Sequence, residues 1–381
     1  ANRKLGNYEL TNLLGSGGMG DVYRARHSQF GRMRAVKVIK QHFVEAGHEE
    51  VIRRFYREIQ AVGALDHPNI VVAIDSSTPA DPVHYLVMEY IDGLSVDEQI
   101  KRHGPMAIAD ACEIARQAAL GLEYIRHHGM VHRDIKPSNL MVALAQGDSS
   151  TGAVRDDRER AVVKILDLGL ALLADDEGER FTRFDDRAMG TGMYMAPEQW
   201  QTTSVDIRAD IYSLGCTLYH MLAGQPPFAD SDLRPRRAHE TLALPKIHRP
   251  AEPLPRPLWN VLRKMTSKNP DERYASPGEV AAALMPFCEG HGLAELVHHR
   301  KDALPSAPTR PVIHSDTKLA RSSESDTLAG ARGAPWDWRD PRRKVSPLRR
   351  AALIAGALTA FCICLWLAVA AGRQQGTIRK T

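Results

Sequence analysis

His132-Arg133-Asp134-Ile135-Lys136-Pro137-Ser138-Asn139 is the most constrained stretch of this sequence, and the rest is read outward from it. An aspartate held in a polar turn can orient a hydroxyl group and accept its proton. Lys136 can offset negative charge on a phosphoryl group in transfer, and Asn139 can turn its side-chain carbonyl toward a metal ion. Three such residues within one short segment point to group transfer from a phosphorylated donor.

Downstream, a β-like run over 162–166 ends in Asp167-Leu168-Gly169. A carboxylate at that strand end can chelate Mg²⁺ bridging phosphates, and Gly169 permits the sharp turn behind it. Upstream, Gly15-Ser16-Gly17-Gly18-Met19-Gly20-Asp21-Val22 fits G-x-G-x-x-G-x-V, whose glycines let backbone amides approach a triphosphate. Lys37 is the single lysine inside Arg34-Ala35-Val36-Lys37-Val38-Ile39, an otherwise apolar strand pattern that places an ammonium near phosphate oxygens. Such a lysine needs an orienting anion. Glu58 is preferred over Glu45, Glu49 and Glu50 because it sits centrally on the helical pattern, next to apolar Ile59. Ala196-Pro197-Glu198, Asp210-Ile211-Tyr212-Ser213-Leu214-Gly215 and Arg273, in Asn269-Pro270-Asp271-Glu272-Arg273, complete the series.

In this order the motifs resemble the eukaryotic-type (Hanks-type) protein kinase family, with Ile135 in place of the leucine of H-R-D-L-x-x-x-N. The resemblance covers roughly residues 8–289 and implies an α+β, two-lobed protein kinase fold. A small antiparallel sheet with one helix (8–91) and a larger, mainly helical lobe (92–290) would enclose ATP between them. By the same resemblance Asp134 is the catalytic base, assisted by Lys136, and Lys37 holds the α- and β-phosphates while pairing with Glu58. Asn139 and Asp167 hold Mg²⁺, with Mn²⁺ as the alternative ion. Glu198 pairs with Arg273, and Asp210 braces the catalytic loop. The nucleotide is expected against Leu14, Gly15, Ser16, Gly17, Gly18, Met19, Gly20, Val22, Ala35, Lys37 and Met88, with Leu86-Val87-Met88-Glu89-Tyr90-Ile91 as gatekeeper and hinge and the backbone at Glu89 and Ile91 facing adenine. Lys136, the glycine loop and Gly190-Thr191-Gly192-Met193-Tyr194-Met195-Ala196-Pro197-Glu198-Gln199 are similar to those of membrane-anchored bacterial serine/threonine kinases, in which Thr191 would hydrogen-bond Asp134 and Lys136. The implied substrates are serine or threonine hydroxyls of proteins.

Two departures from the family pattern stand out. Leu168 replaces the usual phenylalanine and is close enough in volume to fill the same apolar slot. The stretch between Asp134 and Asp167 is lengthened by a polar insertion over 146–160, rich in Gly, Ser, Asp and Arg, which reads as a surface loop. Arg133 is the residue that, in the family, often pairs with a phosphate on the segment between Asp167 and Glu198. Of the hydroxyls there, Thr182, Thr191 and Tyr194, Thr182 is the expected site of autophosphorylation.

The bulk composition is ordinary for a globular protein: 381 residues, 43% hydrophobic and 25% charged. A net charge of +4 gives no reason to expect nucleic acid as a partner. None of the five cysteines forms a CxxC pair, which fits a reducing compartment, and residues 1–10 carry no apolar leader. Periodicity predicts strands over 8–14, 22–27, 34–39, 70–75, 84–89, 140–143 and 161–165 and helices over 48–65, 108–127, 207–222 and 257–265. Residues 299–350, rich in Pro, Ser, Arg and Asp, read as a disordered basic linker. Residues 351–372 hold no charge and would form a helix about 33 Å long, enough for a hydrocarbon core of about 30 Å. Arg342, Arg343, Lys344, Arg349 and Arg350 place the preceding flank on the cytoplasmic side. The expectation is a single-pass protein of the cell membrane with a cytoplasmic catalytic domain and a short far-side tail, 373–381. Activation by clustering, as a homodimer phosphorylating itself in trans, or by a partner acting through the helix are the open alternatives.

Three rival readings account for less. A pseudokinase scaffold would lack one of Lys37, Asp134, Asn139 or Asp167, and a small-molecule kinase would lack Ala196-Pro197-Glu198, Asp210 and Arg273. A membrane adaptor built on the linker and helix would not explain the ordered motifs.

Overall fold

The computed structural model describes residues 3–17, 20–41, 49–145, 160–167, 192–202, 204–249 and 252–303. Strands β1 (Arg3–Leu5), β2 (Tyr8–Ser16), β3 (Gly20–His27), β4 (Met33–Ile39), β5 (Ala73–Ser76) and β6 (Tyr85–Glu89) form an antiparallel sheet in the order β1-β2-β3-β4-β6-β5. Alternation along β4 sorts its side chains. Val36 and Val38 join Tyr8, Leu10, Ala25 and Val87 on the outer face, whereas Ala35 and Ile39 join Phe55, Leu86 and Met88 on the other. Lys37 therefore shares the face of Ala35 and Ile39, and a one-residue slip would move it to the outer cluster. Its register partners are Val22 on β3 and Leu86 on β6.

Helix α1 (Glu49–Gly63) packs on that inner face through Phe55, while Val62 joins the core of the helical lobe and Glu58 is buried between them in sequence. Spacings of three and four place them on one stripe, so the acidic residue is carried into the interior by its apolar neighbours. The strand expected over 70–75 begins only at Ala73, because Ile70 bridges Ile165 in parallel and Val71 N–H donates to Ile165 C=O.

The second lobe starts with β7 (Gly93–Ser95), α2 (Val96–His103) and α3 (Ile108–His127). Strands β7, β8 (Leu140–Leu144) and β9 (Ala161–Ile165) form a three-stranded antiparallel sheet. Helices α4 (Arg208–Ala223), α5 (Pro235–Thr241), α6 (Arg256–Met265), α7 (Pro277–Leu284) and α8 (Leu293–Ala303) complete the lobe. Helix α3 is the hub, with Ile114, Ala115, Ala118, Leu122 and Ile125 fully buried. Residues 299–303, read as linker, continue α8. No helix among the described residues is long and apolar enough to cross a membrane, and residues 351–372 lie outside the described residues.

Helix α4 is buried along nearly its whole length, and Gly215 is where it meets the end of α6: a Cβ there would stand 2.7 Å from Thr266 Cγ2 and 3.0 Å from Met265 Cβ. Alanine would gain about 0.5–1 kcal/mol of helix propensity but meet an overpacking cost of about 1–3 kcal/mol. Gly215→Ala is thus expected to be destabilising, lowering the thermal midpoint by roughly 2–6 °C in calorimetry. An unchanged or raised midpoint would show that α6 yields freely.

Candidate active site

The octapeptide begins where Asp210, on the first turn of α4, reaches under the chain. Its carboxylate is fully buried and accepts His132 N–H (2.6 Å) and Arg133 N–H (2.7 Å). Burial pushes the Asp210 carboxyl up, against the downward pull of His132 and those two amides. Arg133 takes φ +70°, a left-handed conformation that a non-glycine residue adopts only when its surroundings hold it there. Both its backbone groups are held, since Arg133 C=O accepts from Gln199 Nε2 at 3.1 Å. The His132 ring, fully buried, accepts Asp134 N–H at Nδ1 (3.3 Å) and donates from Nε2 to Leu166 C=O (2.9 Å), which fixes its tautomer.

Asp134 emerges from this brace. Lys136 Nζ binds both its oxygens, at 3.0 and 2.8 Å, and Asn139 Nδ2 donates to its carbonyl (2.8 Å) and to Oδ2 (3.1 Å). With the amide nitrogen so engaged, Asn139 Oδ1 remains for a cation. The 3-10 turn Pro137–Asn139 ties on to the other side of the cleft, because Leu166 N–H donates to Asn139 C=O (2.9 Å).

Lys37 Nζ lies 3.0 Å from Glu58 Oε1 and 3.1 Å from Asp167 Oδ1. Burial alone would lower the Lys37 pKa, but Asp167 and Glu58 together drive it above its ordinary value, so the ammonium stays charged. Glu58, with 3% of its side chain exposed, is pushed up by burial more than Lys37 pulls it down. Asp167 is 41% exposed, and its carboxyl is held below the usual range because Lys37 outweighs its desolvation. Asp167 also adopts φ +43°.

The expected nucleotide roof is present in part. Gly17 N–H donates to Gly20 C=O (2.9 Å), Ser16 Oγ donates to Asp21 Oδ1 (2.6 Å), and Lys40 Nζ donates to Gly17 C=O (2.6 Å). A Cβ on Gly20 would sit 2.5 Å from Val38 O, so only glycine fits there. Gly18 and Met19 lie outside the described residues. Leu14, at the end of β2, is 48% exposed, and Val22 is half-buried across the ladder from Gly15. Ala35, Met88, Ile91 and Leu166 meet in one apolar cluster, a surface suited to a flat base. Ile91 N–H makes no backbone hydrogen bond among the described residues, whereas Glu89 N–H is taken by Val72 C=O (3.0 Å). Of the backbone groups expected to face adenine, the Glu89 amide is therefore engaged elsewhere. The Glu89 carboxylate is anchored from behind by Val72 N–H (3.0 Å) and Lys164 Nζ (2.7 Å), a pairing that no motif signalled.

Glu198 and Arg273 meet as a bidentate pair at 2.6 and 2.8 Å. The Arg273 guanidinium also donates to Ser267 C=O, Arg208 C=O and Lys268 C=O, so all five of its N–H groups are used. Next to this pair the segment from Gly192 rests on two tyrosine–histidine contacts: Tyr194 Oη–His220 Nδ1 at 2.7 Å and Tyr212 Oη–His239 Nδ1 at 2.9 Å. Burial lowers both histidines to about 4, so they are neutral near pH 7. Thr182, Thr191 and Gly169 lie outside the described residues.

A catalytic loop, a lysine–glutamate pair and an aspartate at a strand end, arranged around one cleft, can bind a nucleotide and activate a hydroxyl. The model of the protein kinase domain matches residues 8–285. The chain belongs to the protein kinase family. This kinase is 33% identical over 367 residues to serine/threonine-protein kinase PknB of Mycolicibacterium smegmatis, covering 95% of this chain and 53% of that protein. It is 35% identical to PknB of Mycobacterium tuberculosis (86% of this chain, 48% of the relative) and 37% identical to PknB of Mycobacterium leprae (73% and 42%). The chain thus spans about half the length of the curated relatives it matches. Among solved structures, the kinase domain of Mycobacterium tuberculosis PknI matches with a TM-score of 0.53 at 26% identity, over 75% of this chain and 98% of that one.

Gln199 is the site residue whose role the sequence hid. Its Oε1 accepts Ala196 N–H (3.0 Å) while its Nε2 donates to Arg133 C=O, so one amide joins Ala196-Pro197-Glu198 to the loop carrying Asp134. Gln199→Glu keeps the first contact and turns the second into a repulsion. It is expected to lower kcat on the order of tenfold, about 1.4 kcal/mol, with KM for ATP within twofold of wild type. Steady-state kinetics with varied ATP checks this, and an unchanged kcat would show that the bridge is idle.

Proposed function

We propose that this kinase transfers the γ-phosphoryl group of ATP to serine or threonine hydroxyls of proteins. The observation that carries the reading is Asp134 presented on a loop braced by Asp210, with Lys136 and Asn139 bonded to its carboxylate. The names of the PknB relatives, all serine/threonine-protein kinases, support the same acceptor class.

In this reaction the acceptor hydroxyl oxygen bonds to the γ-phosphorus, the bond to the bridging oxygen breaks, and ADP departs with that electron pair. Asp134 orients the hydroxyl and takes its proton. Lys136, already on the Asp134 carboxylate, offsets charge on the phosphoryl group as it passes. Lys37, kept charged and aligned by Glu58, holds the α- and β-phosphates. Asn139 Oδ1 and the Asp167 carboxylate would hold Mg²⁺, since two protein oxygens plus phosphate and water oxygens suit that ion. When bound, Mg²⁺ neutralises charge on the phosphates; Mn²⁺ fits the same donors.

Regulation by a phosphate fits Arg133. Its half-buried guanidinium has no carboxylate within ion-pair distance among the described residues, and burial lowers its pKa, so an added anion would be favoured. Thr182 is the proposed bearer of that phosphate, reached in trans within a homodimer. Residues 351–372 are proposed as a single membrane-spanning helix that anchors the catalytic domain on the cytoplasmic side.

Incubation with Mg²⁺ and radiolabelled ATP is expected to label a mixed protein substrate on Ser and Thr. Asp134→Asn should reduce that rate by on the order of 10²–10⁴. Peptide mass spectrometry of the same samples should find Thr182 modified in wild type only. Equal labelling by Asp134→Asn, or an active preparation with Thr182 bare, would overturn the respective claim. The full chain made in bacteria should stay with the membrane pellet after alkaline carbonate; recovery in the supernatant would remove the anchor.

A further inference from the structure

The glycine loop is closed on itself and also held by a residue outside it. Ser16 and Asp21 form the last rung of the β2–β3 ladder, and Gly17 N–H returns to Gly20 C=O at 2.9 Å. Lys40, one residue past β4, adds a further tie, because its Nζ donates to Gly17 C=O at 2.6 Å. Lys40 makes no ion pair among the described residues, although Asp21 lies on the adjoining strand; that carboxylate takes Ser16 Oγ instead. Lys37 and Lys40 are separated by an odd interval, which strand alternation sends to opposite faces of the sheet. Lys37 lies inside the cleft on Glu58 and Asp167, so Lys40 reaches the loop from the outer side.

The carbonyl that Lys40 holds belongs to a peptide group with a glycine on each side, Gly17 and Gly18. No side chain biases which way such a group turns. The surroundings of Gly17 do not fix it either, since a Cβ there would meet only Gly20 O, at an ordinary 3.6 Å. A trans peptide presents its N–H opposite its C=O. Successive backbone amides attract phosphate oxygens, and a carbonyl turned in among them repels. A cation bound to the carbonyl from the outer side therefore selects the orientation that sends the amide end of the same group inward. We propose that Lys40 is a positioning residue for the phosphates of the nucleotide: by holding Gly17 C=O outward, it keeps the loop turned for phosphate before ATP arrives. Lys37 would then meet the phosphates from within the cleft while Lys40 acts on them only through the backbone, and the inference rests on the ATP-dependent reading above.

The test uses the full chain with Lys40→Met and Lys40→Arg. Steady-state kinetics with varied Mg²⁺–ATP should show Lys40→Met raising KM for ATP by about fivefold, with kcat within about twofold of wild type. Adenosine, which carries the base and ribose but no phosphate, should inhibit wild type and Lys40→Met equally well. Hydrogen–deuterium exchange read by mass spectrometry, with no nucleotide present, should be roughly threefold faster in Lys40→Met for peptides spanning residues 14–22 and unchanged elsewhere. Lys40→Arg, whose guanidinium can also donate to a carbonyl, should return both readouts to wild type. An unchanged KM in Lys40→Met would overturn the proposal. So would a raised KM with unchanged exchange, which would place the ammonium directly on phosphate, or an equal loss of adenosine affinity, which would make the defect general to the cleft. Failure of the kinase reading would show separately, as wild-type protein that transfers nothing from ATP to a mixed protein substrate.

Discussion

One buried carboxylate organises the catalytic side of this molecule. Asp210 sits in the core of the helical lobe and spends both oxygens on the consecutive amides of His132 and Arg133. A buried charge with so few partners is costly unless its hydrogen bonds are good. Here they are short, and they hold Arg133 in a left-handed conformation that it would not otherwise keep. The turn this creates sends Asp134 into the cleft while the His132 ring locks to Leu166, one residue before Asp167. Asp134 and the acidic strand end are thus positioned from a single point in the core.

The other half of the cleft depends on facial sorting. Lys37 faces inward because alternation in β4 fixes its side, and Glu58 faces Lys37 because Phe55, packed under the sheet, and Val62, packed in the helical lobe, bury that stripe of α1. Neither element encodes the meeting alone. Their 3.0 Å contact comes from two amphipathic patterns packing against each other.

Much of this was legible in the sequence where a residue's chemistry and its local period agree. The strands around Lys37, the helix carrying Glu58 and the long helix α3 are examples. What was not legible are contacts made through backbone groups far apart in the chain. Nothing in Gln199 announces that its amide reaches Arg133 C=O, nor does Lys164 announce Glu89. The strand expected from Ile70 begins later, because Ile70 and Val71 are drawn to Ile165, a partner that periodicity cannot name. Short helices such as α2 and α5 escaped for a related reason: they are a few turns long and owe their existence to packing.

The double engagement of Lys37 has a consequence for turnover. Its ammonium already shares carboxylate oxygens of Glu58 and Asp167. In the proposed reaction, a phosphate arriving there would exchange one anion for another instead of meeting a bare cation, so much of the Coulomb attraction would be offset by the partner released. The same exchange run backward would ease the departure of ADP in that reaction, because the lysine would return to a waiting carboxylate. On that reading the cleft would trade tightness of hold for ease of release, a balance suited to a catalyst that must let go as often as it grips.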